Sequence, residues 1–347
     1  MFFARSSDGK DGAEVKNSIL PFVVRHSLVI PVYRNEENIP DLLRALADLA
    51  GKIEAFEAVF IVDGSPDRSM SLLSEKLPAM PFAWQLIELS RNFGSFAAIR
   101  QGLAIARGEF TAVMAADLQE PPELVHELFR QIGAKEYDLA VGVRTSRKDS
   151  PLTQMTSKIY WTLYHGLVMQ EIPAGGVDVF ACNRAFRDAL LSLEERNSFF
   201  IGQLFWLGFR RVEIPYERRA RVIGKSAWTF RRRLRYMLDS VFAFSDLPIS
   251  ILLWLGALGV GVSFGWSLAL VLLKAFGLIA VRGYVAIMLA IMFFGSLLLL
   301  SQGILGCYLW RVAENTKKRP ISVVLSHRSS PSLALATSAD AGIEESA

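Results

Sequence analysis

Residues that carry much of enzymatic chemistry are scarce in this chain. Its 347 residues include 2 cysteines and 4 histidines. Cys182 and Cys307 are too few for a disulfide framework or a zinc site. His26, His126, His165 and His327 fall at no metal-binding spacing such as His-Glu-x-x-His. Several signatures are missing too. No Gly-x-Gly-x-x-Gly follows the first strand, which leaves a dinucleotide site unsupported. No phosphate-binding P-loop and no Gly-x-Ser-x-Gly elbow occur. Charge itself is missing from one region: the 64 residues from Leu247 to Trp310 contain only Lys274 and Arg282. That excludes both an ordinary soluble protein and a disordered one.

Within that region, Leu247–Leu273 and Gly283–Trp310 are uncharged runs of 27 and 28 residues. Crossing the hydrocarbon core of a bilayer takes about 20 apolar residues. The short link between the runs predicts an antiparallel transmembrane hairpin, which also offers a surface for homo-oligomerisation. Arg231, Arg232, Arg233 and Arg235 precede it, and Arg311, Lys317, Lys318 and Arg319 follow it. The positive-inside rule then predicts that both termini and the large N-terminal region are cytoplasmic. The apolar run Ser27–Tyr33 is too short for a secretory signal. From Arg210 to Arg235 ten basic residues stand against Glu213 and Glu217, a local charge of +8. Beside an apolar block, such a stretch suits anionic lipid or phosphate and not nucleic acid. Within Trp228–Phe244, Phe230, Leu234, Met237, Leu238, Val241 and Phe242 recur at helical spacing, which predicts an interfacial amphipathic helix.

Residues 27 to 145 alternate strand and helix signals. Strands are expected at Ser27–Pro31, Ala58–Val62, Trp84–Leu89, Phe110–Ala115 and Leu139–Val143. Helices are expected at Ile39–Leu49, Arg68–Leu77, Phe96–Arg107 with Gly108 as its cap, and Pro122–Gly133. This order predicts a doubly wound, mostly parallel α/β sheet. The expected organisation is a disordered segment 1–25, an α/β domain 26–226, a juxtamembrane segment 227–246, the helix pair 247–311, and a tail 312–347 that is basic and then flexible.

Ligands of such sheets sit beyond the carboxyl ends of the strands. Polar clusters stand at four of them: Glu36 and Glu37; Asp63, Ser65 and Asp67; Ser90, Arg91 and Asn92; Asp117, Gln119 and Glu120. One carboxylate at a strand end is often a helix cap, but four successive clusters are poorly explained that way.

The strings PVYRNEENI (31–39), VDGSPD (62–67), LSRNFGSFAAIRQGL (89–103) and MAADLQEPPEL (114–124) occur in this order. Together with VDVFACNR (177–184), ERNSFF (195–200) and PYERRARVIGKSAW (215–228), they resemble family 2 glycosyltransferases of the GT-A fold. More narrowly they resemble the polyprenyl-phosphate glycosyltransferases, dolichol-phosphate mannose synthase and its bacterial undecaprenyl-phosphate relatives, over residues 26–311.

The resemblance implies an inverting, membrane-anchored glycosyltransferase of the bacterial inner membrane. It would move a sugar from a UDP- or GDP-linked donor to polyprenyl phosphate, with Mg2+ or Mn2+ stabilising the leaving diphosphate. By position, Pro31, Tyr33, Glu37, Asp63 and Arg91 would belong to the nucleotide-sugar site. Asp117 would reach the metal and the diphosphate, and Gln119 would be its companion at the metal. Arg221 and Ser157 would lie near phosphates, Asp178 in the acceptor-side loop. The arginines Arg231, Arg232, Arg233 and Arg235 would hold the lipid headgroup region.

The chain departs from the family pattern at three places. Ala115 stands where the first Asp of Asp-x-Asp is usual, Val62 where Asp-Asp-Gly-Ser has its first Asp, and Lys225-Ser226 invert a Ser-Lys pair. Two other readings share the fold. One is a polysaccharide synthase, whose Gln-x-x-Arg-Trp motif is lacking here. The other is a catalytically reduced membrane scaffold.

Overall fold

The computed structural model describes residues 23–145, 171–173, 177–193, 200–219, 241, 247–276 and 284–331. Ser157, Arg221, Arg231, Arg232, Arg233 and Arg235, and nearly all of the expected amphipathic helix, lie outside these residues.

Eight strands form one sheet: β1 (His26–Val32), β2 (Phe56–Val62), β3 (Ala83–Leu89), β4 (Phe110–Val113), β5 (Leu139–Arg144), β6 (Val177–Asn183), β7 (Arg211–Tyr216) and β8 (Val324–Ser329). Their order across the sheet is β7-β5-β6-β4-β1-β2-β3-β8. The pairs β1–β2, β1–β4, β2–β3 and β5–β7 are parallel, while β6 and β8 run against their neighbours. The mostly parallel GT-A sheet is therefore present, closed at one end by a reversed strand.

Alternation assigns the two faces. In β1 and β2, Leu28, Ile30, Val32, Ala58, Phe60 and Val62 enter one apolar cluster, and Val29, Val59 and Ile61 the other. Both faces are covered, which is why these strands read as continuous apolar runs. Helices α1 (Ile39–Ala50) and α4 (Pro122–Gly133) lie on the first face. In α1, Ile39, Leu42, Leu43, Leu46 and Leu49 are buried at helical spacing, and Pro40 sits in the first turn, where its missing N–H costs nothing. The short α2 (Ser69–Lys76) adds Leu73. On the opposite face lie α3 (Ser95–Ile105), α5 (Arg184–Ser192) and α6 (Phe200–Trp206).

The cap assigned to Gly108 is corrected. Helix α3 ends at Ile105 with Ala106 as its cap. Gly108 instead crosses the start of β1, where a Cβ would lie 2.6 Å from Ser27 Oγ and 2.8 Å from the Ser27 nitrogen. Its own N–H donates to that Ser27 Oγ (2.7 Å), which in turn donates to buried Glu57 (2.6 Å).

Two long helices follow, α7 (Leu247–Ala275) and α8 (Tyr284–Thr316), of 29 and 33 residues. They coincide with the two uncharged runs. Among the described residues no helix is long and apolar enough to cross a membrane, so the two-span expectation rests on the composition of the runs themselves.

The expectation that the tail 312–347 turns flexible after its basic part is also corrected, for residues 324–329. Strand β8 pairs antiparallel with β3, from Gln85↔Ser329 to Leu89↔Val324. Ser326 Oγ donates to Glu88 (3.1 Å), His327 Nε2 meets Gln85 Oε1 at 3.0 Å, and Ser330 N donates to the Trp84 carbonyl (2.9 Å). The polar sequence VLSHRS hides the strand, because an edge strand needs no apolar alternation. Deleting residues 320–347 should uncover β3. With about 1 kcal/mol net per lost hydrogen bond, the melting midpoint should fall by about 5–10 °C, with concentration-dependent aggregation visible by light scattering.

Candidate active site

Four strand ends open on the same edge of the sheet, and each loop is tied to its neighbour. After β1, the Arg34 N–H donates to Ser65 Oγ (2.8 Å), and the Asn35 N–H to Ser69 Oγ (3.2 Å). Asp67 fastens the β2 loop. It accepts from the hydroxyls of Ser65 (2.6 Å) and Ser69 (2.9 Å) and from the Glu36 N–H (3.1 Å). Burial raises its pKa, but these hydrogen bonds outweigh it and hold the carboxyl below the ordinary range. Glu36 ties the two loops from the other side, accepting from the Arg68 N–H at 2.9 Å. Glu37, the residue singled out from sequence, is exposed.

Asp63 leaves β2 almost fully buried, at 2% exposure. Its two oxygens accept the N–H groups of Phe93 (2.7 Å) and Gly94 (2.8 Å), in the loop after β3. Burial lifts its pKa despite these donors. Asp63 therefore shapes the loop that carries Arg91. Arg91 is exposed and lies over the Phe93 ring at 4.0 Å. Pro31 and Tyr33 are half-buried at the neighbouring β1 end.

Gly64 has φ +54°, and a Cβ on it would lie 2.3 Å from the Arg91 carbonyl carbon and 2.5 Å from the Asn92 nitrogen. The position thus needs glycine twice, for its backbone angle and for the close approach. Gly64→Ala should cost about 2–5 kcal/mol in combined strain and overpacking, read as a lowered melting midpoint, and should weaken nucleotide binding in titration calorimetry.

Beyond β4, Ala115, Asp117, Leu118 and Gln119 are half-buried and Glu120 is buried, with Leu118 at φ +53°. The register Val113↔Phe180 places Asp178, near the start of β6, past the end of β4. The chain leaving β7 then crosses this loop. Arg218 Nη2 donates to Gln119 Oε1 (2.8 Å), and the Arg219 N–H to the Gln119 carbonyl (2.9 Å). Arg218 also lies 3.5 Å from Glu120 and 3.7 Å from Asp178, and Arg144 lies 2.9 Å from Asp178. Burial, then the neighbouring Asp178 charge, push the Glu120 carboxyl up to about 7, against the pull of Arg218.

Asp117, Gln119 and Asp178 are thus brought together, and Pro31, Tyr33, Asp63 and Arg91 occupy the adjoining strand ends. Arg218, Arg144 and Tyr216, whose hydroxyl donates to Asp178 (3.3 Å), were missed from sequence. Arg218 was visible in the basic stretch, but nothing there separated it from nine other cations.

Among the described residues no group of three His, Cys, Asp or Glu side chains is placed to hold a metal ion. Gln119 Oε1 accepts from Arg218 Nη2, and an amide oxygen is a ligand that hard divalent cations take. Asp117 with Gln119 fits an ion of the Mg2+ type, which takes one or two carboxylates and completes its shell with substrate phosphate and water. Thiol chemistry has no support at Cys182, which is buried and whose thiol burial pushes up to about 12.

Known proteins resemble this chain over most of its length. The family model described as glycosyl transferase family 2 matches residues 27–193. An uncharacterized glycosyltransferase of Synechocystis sp. is 31% identical over 300 residues, covering 86% of this chain and 94% of its own length. A prophage-derived bactoprenol glucosyl transferase of Shigella flexneri is 30% identical over 311 residues, covering 88% and 99%. An undecaprenyl-phosphate 4-deoxy-4-formamido-L-arabinose transferase of Klebsiella pneumoniae is 30% identical over 303 residues, covering 86% and 92%. A solved mannosyltransferase of Pyrobaculum calidifontis, in complex with GDP-Man and Mn2+, is 16% identical with a TM-score of 0.47, covering 86% of this chain and 84% of its own. With its strand-end site and these full-length relatives, the chain belongs to glycosyl transferase family 2 and is a glycosyltransferase.

Proposed function

We propose that this glycosyltransferase moves a sugar from a nucleoside-diphosphate sugar to a polyprenyl phosphate at the cytoplasmic face of a bacterial membrane, with inversion at the anomeric carbon. One observation carries the acceptor assignment. Relatives named for bactoprenol and undecaprenyl phosphate align over 86–88% of the chain, well beyond the catalytic match at 27–193. The helix pair supports the same reading. Its described side chains include exposed Trp254, Leu258, Ile287, Ile291, Phe293 and Leu309, each more than half accessible, a pattern suited to lipid contact. Two spans with both termini cytoplasmic follow from the flanking charge.

The nucleotide binds across the β1, β2 and β3 ends, beside the loop that Asp63 holds. Asp117 and Gln119 would hold Mg2+ or Mn2+, which when bound supplies charge to the leaving diphosphate. A lipid phosphate is already anionic at neutral pH, so the site needs no strong base to activate it. The juxtamembrane arginines would keep the catalytic face against anionic headgroups, at ~1 kcal/mol each.

The test uses the full chain in detergent with undecaprenyl phosphate, a divalent cation and a panel of UDP- and GDP-sugars, read by mass spectrometry. A lipid-linked sugar from one donor is the expected product. Nucleotide binding without product from any donor would favour the scaffold reading instead.

A further inference from the structure

The loop after β3, Ser90–Gly94, is gripped from three sides. Gly64 lies against Arg91 and Asn92, and Asp63 holds Phe93 and Gly94. The third grip comes from the far end of the chain. The Ser90 N–H donates to the Val323 carbonyl (2.9 Å). Ser322 Oγ donates to Gln101 Oε1 (2.9 Å) on α3, the helix that starts directly after the loop at Ser95. One short segment thus touches the chain on both sides of the loop.

Strand β8 is shaped to reach that far. Glu88 pairs with Ser326 and Leu89 with Val324, so Leu325 is an extra residue, a β-bulge. Bulges bend a strand and often end its pairing. Here the pairing goes on past the bulge, through Val324 to the Val323 contact with Ser90. A strand that served only to cover the edge of β3 could stop at Ser326.

The segment is tied on its other side as well. Helix α8 ends at Thr316, and only residues 317–321 separate it from Ser322. Fully extended, this link spans at most about 20 Å, and Pro320 fixes one of its dihedrals.

We propose that Ser322 and Val323 are positioning residues of the donor site, forming a strap through which α8 sets the shape of the loop after β3. The proposal rests on the reading that the nucleotide binds beside this loop. It makes donor affinity depend on residues outside all four strand-end clusters.

The experiment uses the full-length protein in detergent. UDP and GDP are titrated by calorimetry, and initial rates are measured with the donor that the wild type turns over and undecaprenyl phosphate. Ser322→Ala should weaken the nucleoside diphosphate and raise the donor KM together, by about three- to tenfold. The kcat and the KM for lipid phosphate should stay unchanged. Ser322→Thr keeps the hydroxyl and should bind as the wild type does. Gln101→Ala should weaken binding about as much, and the double variant no more than either single one, because all three remove the same contact. Inserting Gly-Ser-Gly-Ser between Arg319 and Pro320 leaves every contact available but slackens the link. It should give a loss in the same direction. A lowered melting midpoint with an unchanged donor KM would make the strap structural only and overturn the proposal. So would a loss confined to kcat, or an insertion without effect on binding. A wild type that binds neither UDP nor GDP would sink the underlying placement of the nucleotide, a distinct outcome.

Discussion

Asp117→Asn should lower kcat about a thousandfold while the melting curve stays in place. Asp117 is the first carboxylate past β4, because Ala115 and Ala116 precede it, and Glu120 in the same loop is buried and paired with Arg218. The change keeps the side-chain shape and removes the negative charge that would hold a cation against the donor diphosphate. Losing one preorganised electrostatic contact to a leaving group typically costs 10²–10³ in rate, about 3–4 kcal/mol of barrier, and a metal site reduced to Gln119 alone extends that loss. Single-turnover assays with saturating donor would measure it. EDTA should suppress the wild type to a similar level, and excess Mn2+ should restore the wild type but not the variant. A variant retaining a tenth of wild-type turnover would remove Asp117 from the chemistry.

Asp63→Ala should be the most destabilising single substitution in the site. The carboxylate accepts two backbone N–H groups at 2.7 and 2.8 Å while itself only 2% exposed. Removing it leaves both donors without their acceptor in a buried place, at about 1–3 kcal/mol each. The summed loss of about 2–6 kcal/mol should lower the melting midpoint by about 5–20 °C, and the loosened Phe93–Gly94 turn should raise the donor KM. Asp63→Asn keeps one acceptor oxygen and should fall between the two in both readouts. An Asp63→Ala protein with unchanged melting would mean that the loop is held by other contacts.

Much of this architecture was legible in the sequence for a simple reason. Strands β1 to β4 are buried on both faces, so Leu28–Val32 and Ala58–Val62 appear as unbroken apolar runs, and α1 shows its apolar positions at helical spacing. The strand-end polar clusters stood out because function lies where each run stops. What escaped notice depends on long-range partners. Strand β8 is polar and acquires its identity only by pairing with β3. The structural part of Asp63 is hidden, because its sequence neighbours give no hint that Phe93 and Gly94 fold back onto it. Arg218 becomes distinctive only when the β7 exit crosses Gln119. Glu36 and Glu37 are adjacent acids, and only the tertiary contact with Arg68 separates them.

The pairing of β3 with β8 has a consequence for biosynthesis. Ser326 and Glu88 touch although 238 positions separate them, and both long helices are made in between. The sheet edge at β3 therefore leaves the ribosome open, and it stays open until β8 has been translated. With the hairpin across a membrane, as proposed, β8 can reach β3 only if both helices have inserted and returned the chain to the starting side. A chain with one helix left uninserted would strand β8 on the far side and leave the edge permanently bare. Completion of the sheet would then act as a check on correct insertion, and misinserted chains would be marked for proteolysis by an unpaired β3.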